Sequence, residues 1–175
     1  MLIFQTFSEG DALVTYENIV QSYIDLQKHN AMVRDALRKE AKDLLECYIR
    51  SLSLESRVIN TANGKKEIVS IEQVRGNGEF AECSPLALGI SSGGDMSFRI
   101  CMIIATLPQG NTIIPAYIQI ELYEGMIKVE LSLSNSKSER HVEIYVTRGD
   151  DVERYNEVAE HIKGMMMQFI TDQKM

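Results

Sequence analysis

The segment Thr112–Leu133, TIIPAYIQIELYEGMIKVELSL, is the stretch on which the architecture turns. In its first half Ile114, Ala116, Ile118, Ile120 and Leu122 point to one side of an extended chain, and Tyr117, Gln119, Glu121 and Tyr123 to the other. Glu124-Gly125 supplies a turn, after which Ile127, Val129, Leu131 and Leu133 resume the apolar side. Two half-buried strands joined by a two-residue turn form an antiparallel hairpin. Tyr123 then opposes Met126, Glu121 opposes Lys128 and Gln119 opposes Glu130. Pro115 has no ladder donor, so the start of the first strand is expected at an edge or a bulge.

The same pattern extends in both directions. Met96–Leu107 (MSFRICMIIATL) is apolar on both sides and reads as a central strand covered on both faces, joined to the hairpin by Pro108–Asn111. Upstream, Arg57–Thr61 and Lys66–Val74 flank an Asn63-Gly64 hairpin signal, followed by a short strand at Glu79–Glu82. Downstream, Ser134–Lys137 links to a strand at Ser138–Thr147 with Val142, Ile144 and Val146 inward. A four-residue loop there places Lys128 opposite Glu143 and Glu130 opposite His141. A two-residue shift would place Glu130 opposite Glu143 instead.

Glycine and proline divide the rest. Between Gly10 and Gly64 there is neither, whereas nine of the eleven glycines and all three prolines fall from Gly64 to Gly149. The front is therefore helical over residues 11–53, the middle is sheet over 57–147, and a tail helix covers 151–172 with Asp150 as N-cap and Glu153 completing a capping box. The fold class is α+β: one domain over 1–175, with an antiparallel sheet of about five to six strands packed by a long N-terminal helix (or helix pair) and a C-terminal helix.

The front carries two apolar stripes: Leu13, Tyr16, Val20, Tyr23, Ile24, then Val33, Leu37, Ala41, Leu44, Tyr48, Leu52. The second lags the first by roughly 80° over about three heptads, most of which a seven-residue repeat produces by itself. That favours one continuous helix, which would overhang a body of this size and predicts a homodimer. Against it, Gln27, Asn30 and Arg34 interrupt the first stripe, and Asn30 suits an N-cap. A break near Lys28-His29-Asn30 is placed first. Arg34, Arg38, Lys39 and Lys42, interleaved with Asp35, Glu40 and Asp43, read as a solvated face with Asp35–Lys39 and Glu46–Arg50 pairs.

Composition narrows the function classes. The net charge of −7 argues against nucleic acid and suits a protein partner of basic charge. No run approaches the ~20 apolar residues of a membrane span, and Met1–Phe4 lacks the flank of a signal peptide. Three widely spaced cysteines fit a reduced, cytoplasmic setting. His29, His141 and His161 show no metal-ligand spacing, and Gly89–Asp95 lacks the lysine and helix of a phosphate loop, so neither metal nor cofactor is expected.

The expected function is a non-enzymatic protein-binding module: an adaptor, a chaperone-like protein or an immunity-like inhibitor. It would act through an acidic surface and a helix-mediated homodimer. Tyr16, Tyr23 and Met167 are the candidate contacts on helices. Tyr117, Glu121, Tyr123, Glu143 and Tyr145 are those on the polar sheet face. The alternative is a small enzyme or ligand-binding protein using Glu130, His141 and Lys128 on that face, where a Glu–His pair beside a lysine can move protons. An ordinary solvated face of opposite charges accounts for the same residues.

Overall fold

A computed structural model describes residues 13–134 and 141–173. Its elements run in the order α1 (Tyr16–Ser51), β1 (Val58–Thr61), β2 (Gly64–Glu67), β3 (Val69–Val74), β4 (Phe80–Cys83), β5 (Met96–Leu107), β6 (Gly110–Tyr123), β7 (Met126–Ser132), β8 (His141–Thr147) and α2 (Asn156–Asp172). This is the α+β class expected: one antiparallel sheet in the order β4-β3-β5-β6-β7-β8, with β1-β2 as a separate two-stranded sheet. By its internal contacts the chain divides into two units at Met32/Val33.

The first unit, described over Leu13–Met32, is helical from Tyr16. Thr15 starts the helix: its Oγ1 accepts from the Asn18 backbone N–H at 3.3 Å, and Asn18 Oδ1 accepts from the Thr15 N–H at 3.0 Å. This is a capping box with asparagine in the third helical position. The expected break near Lys28-His29-Asn30 does not occur, since α1 is helical without interruption from Tyr16 to Ser51. No residue there forces a break. Asparagine in a helix interior costs only a fraction of a kcal/mol relative to alanine, and the heptad drift needs no correction.

In the second unit the alternating strand residues make the core. Ile114, Ala116, Ile118 and Ile120 of β6, Ile127, Val129 and Leu131 of β7, and Ile144 and Val146 of β8 are buried, as are Met96, Phe98 and Ile100 of β5. Leu37, Ala41, Leu44, Cys47 and Tyr48 of α1 and Val158, Ala159, Ile162 and Met166 of α2 belong to the same cluster. β5 is interior to the sheet but, contrary to expectation, is not covered on both faces. On its second face Cys101 is buried, while Ser97 is exposed and Arg99 half-buried. Pro115 lies where β6 pairs with β5 before β7 has begun to pair, so that side of β6 is locally an edge.

Three further expectations shift. The tail is capped by Asp151, whose side chain accepts from the Glu153 N–H at 2.9 Å and opens a 3-10 turn, Val152–Tyr155, before α2. Asp150 instead pairs with Lys39 at 3.4 Å. Asp35 pairs with Arg34 and Arg38 rather than Lys39, while Glu46–Arg50 forms as read. Glu40 is not solvated but only 4% exposed, held by Arg154 and Tyr155 from more than a hundred positions away.

Tyr48, fully buried, donates its hydroxyl to Met166 Sδ at 3.0 Å, and burial pushes its pKa up to about 12. A raised phenol pKa keeps the folded state whole below about pH 10 and weakens it above, because the unfolded chain ionises first. Tyr48→Phe should therefore remove about 1.4 kcal/mol per pH unit from the loss of stability between pH 10 and 12. Urea titrations at several alkaline pH values measure this, and equal slopes in both proteins would refute it.

Candidate functional site

The face of the large sheet away from the helices collects most of the candidates. Tyr123 pairs with Met126, Glu121 with Lys128 and Gln119 with Glu130, as the turn at Glu124-Gly125 requires. Glu124 has φ 47° and Gly125 φ 79°, the left-handed pair of a tight hairpin turn. The β7–β8 register is the shifted one: Lys128 opposes Tyr145, Glu130 opposes Glu143 and Ser132 opposes His141. Eight residues therefore separate the last paired positions, not four. The expected loop Ser134–Lys137 and the strand start Ser138–Arg140 lie largely outside the described residues.

The shift changes what meets what. Lys128 Nζ lies 3.3 Å from Glu121, 2.5 Å from Glu130 and 3.6 Å from Glu143. Its bond to Glu130 leads the causes that raise its pKa, so it is a locked cation and not a poised base. His141 Nε2 is 3.9 Å from Glu143, with its side chain half exposed on the outermost strand. The carboxylates thus converge on the lysine rather than the imidazole. The Tyr123 and Tyr145 rings meet at a tilt of 54° with centres 5.7 Å apart beside this cluster, both partly exposed.

Towards β4 the face is concave. Tyr117 meets Phe80 edge-on at 5.8 Å, and Arg99 sits 3.9 Å over Phe80 while bonding Glu72. Beyond Glu72 the β3–β5 pairing stops. The loop after β4 fills the gap, with the Gln73 amide bonded to both backbone groups of Gly89 and to the Ser97 carbonyl. Together these bound a half-open cavity of about 720 Å3, reaching from Val74, Phe80 and Ile90 across Tyr117 and Gln119 to Glu130 and His141. The volume suits a small molecule. Among the described residues, no group of three or more His, Cys, Asp or Glu is placed to hold a metal ion.

The other candidates are on helices. Met167 is 62% exposed on α2, whereas Met166 is buried. Tyr16 and Tyr23 are 76% and 62% exposed, and they are not alone: Leu13, Ile19, Val20, Ile24 and Leu26 are also exposed large apolar residues. Scattered single apolar residues are ordinary on a surface, but a continuous helical stripe is not. Ile19 and Leu26 escaped the sequence reading, which followed Tyr16-Val20-Tyr23. The missed signal is the spacing Tyr16, Ile19, Tyr23, Leu26, Asn30, alternating three and four. Phe80 and Gln73 were also missed, because strand order rather than spacing brings them to the cavity. Among the described residues no helix is long and apolar enough to cross a membrane. Comparison with models of protein families, with curated proteins and with solved structures gives no match for this chain.

Proposed function

We propose that the chain is a non-enzymatic protein-binding module, of the adaptor, chaperone-like or inhibitor-like kind, whose docking element is the front of α1. The observation that carries this is the set of six exposed apolar side chains on one face of the first turns of α1: Tyr16, Ile19, Val20, Tyr23, Ile24 and Leu26. Covering Tyr16, Ile19, Tyr23 and Leu26 would each recover roughly 1–2 kcal/mol, since a fully covered side chain of this size contributes about 1.5–3. Water is a poor permanent neighbour for such a surface, and another polypeptide helix is a good one. The net charge of −7 supports basic partners elsewhere on the surface.

The cavity supports a second reading, a ligand-binding protein using Glu130 and His141, which line it, with Lys128 behind them on Glu130. The ion-paired lysine and the exposed imidazole weigh against catalysis there. One pair of variants separates the two. The docking reading expects Ile19→Lys/Leu26→Lys to abolish retention of a protein partner in affinity capture while His141→Ala leaves it intact. The ligand reading expects a metabolite-induced thermal shift that His141→Ala abolishes. Retention indifferent to the helix variant would remove the first reading.

A further inference from the structure

We propose that a second copy of this chain covers the front of α1, as a parallel, in-register two-stranded coiled coil over Tyr16–Asn30. The proposal rests on the docking reading and names its occupant. Numbered as heptads, Tyr16, Tyr23 and Asn30 take the a positions, with Ile19 and Leu26 at d. All but Asn30 are more than half exposed, and Asn30 is half-buried.

Asn30 fixes the orientation. In a parallel pair, a meets a′, so the two Asn30 amides hydrogen-bond each other across the seam. In an antiparallel pair, a meets d′, so Asn30 would face an apolar side chain and its amide would be buried without a partner. A lone asparagine at an a position is a well-attested device for setting register and strand number.

Charge argues for a second copy over a basic peptide. The positions flanking the seam are Thr15, Ser22 and His29 at g and Val20 and Gln27 at e, none carrying a fixed charge. The acids of this stretch, Glu17 and Asp25, fall at b and c, away from a partner helix. Nothing there selects a basic helix, and nothing repels an identical one.

Size is sufficient. Tyr16, Ile19, Val20, Tyr23 and Leu26 together expose roughly 400 Å2 of apolar side chain, from side-chain burials of ~60–120 Å2 for aliphatics and ~150–250 Å2 for aromatics. Interfaces are a little over half apolar, so two copies would bury roughly 1,400 Å2, above the ~1,000 Å2 of a specific contact. Interfaces of about this area reach micromolar affinity at the weak end of their range.

Light scattering on the full chain from about 1 to 200 µM should show the mass rising from 19.8 kDa toward twice that value. Ile19→Lys/Leu26→Lys should hold it at the monomer. Asn30→Leu should tighten association by at least about tenfold and admit higher oligomers. Leu26→Cys in a Cys83→Ser background should oxidise readily to a covalent dimer, because d meets d′ only in the parallel register. A monomer throughout the range overturns the proposal, and so does a dimer that Leu26→Cys cannot cross-link. If the monomer still loses a captured partner on Ile19→Lys/Leu26→Lys, the second copy is wrong and docking survives; if it does not, both fall.

Discussion

Replacing Arg154 by methionine is expected to destabilise the fold by about 3–5 kcal/mol, because it strands the Glu40 carboxylate inside the protein. Arg154 Nη2 donates to Glu40 at 2.5 Å and to Asp43 at 3.0 Å, and Nη1 donates to the Asp151 carbonyl at 2.7 Å. The guanidinium also sits 4.7 Å from the Tyr155 ring centre, while the Tyr155 hydroxyl donates to Glu40 at 2.6 Å. The Arg154 and Glu40 side chains are only 7% and 5% exposed, so water cannot replace the lost partner. Asp43 retains Lys39 at 3.0 Å, which leaves Glu40 as the group that suffers.

Removing both members should reverse part of the damage. Arg154→Met/Glu40→Leu has no unpaired charge to bury, and replacement of such pairs by apolar residues is often neutral or stabilising, but the buried Tyr155 hydroxyl loses its acceptor at a cost of about 1–3 kcal/mol. The coupling in a double-mutant cycle is thus expected to be large and of compensating sign. In a chain of 175 residues the single variant should melt roughly 6–20 °C below the parent, with the double variant between the two. Calorimetry on the three variants checks this. A single variant within about 1 kcal/mol of the parent would mean that Glu40 finds water in solution.

This network also marks where the sequence stops being legible. The hairpin Thr112–Leu133 could be read to the residue because its register depends on a two-residue turn and a period of two, both local. The continuity of α1 is half-legible: the heptad drift argues for it, and Asn30, a polar residue in an apolar stripe, argues against it although it leaves the helix whole. Glu40 could not be placed, because Arg38, Lys39, Lys42 and Asp43 around it in sequence suggest a charged surface and its true partners come from the far end of the chain. The β7–β8 register failed for a related reason. Loop length sets it, and no residue in Ser134–Arg140 announces where pairing resumes. On the candidate site, the sequence placed the residues on one face correctly by parity, but which cation met which carboxylate waited on that register.

Ile120→Ala should cost about 2–5 kcal/mol, while Gln119→Ala, one residue away on the same strand, should change stability by no more than about 0.5. Ile120 is fully buried between Met96 of β5 and Val129 of β7, and truncation leaves a cavity that close-packed neighbours can only partly collapse into. Gln119 is half-buried on the opposite face, between Ser97 and Glu130, with no hydrogen bond from its amide among the described residues. The contrast tests more than packing. If a partner or ligand held the open sheet face as part of the folded state, Gln119 would behave as an interior residue, and its truncation would approach the cost of its neighbour. Chemical denaturation of both variants decides between a sheet with one working core face and a sheet with two. The docking reading of α1 needs the first outcome, because it leaves the helix front as the large apolar surface still without a neighbour.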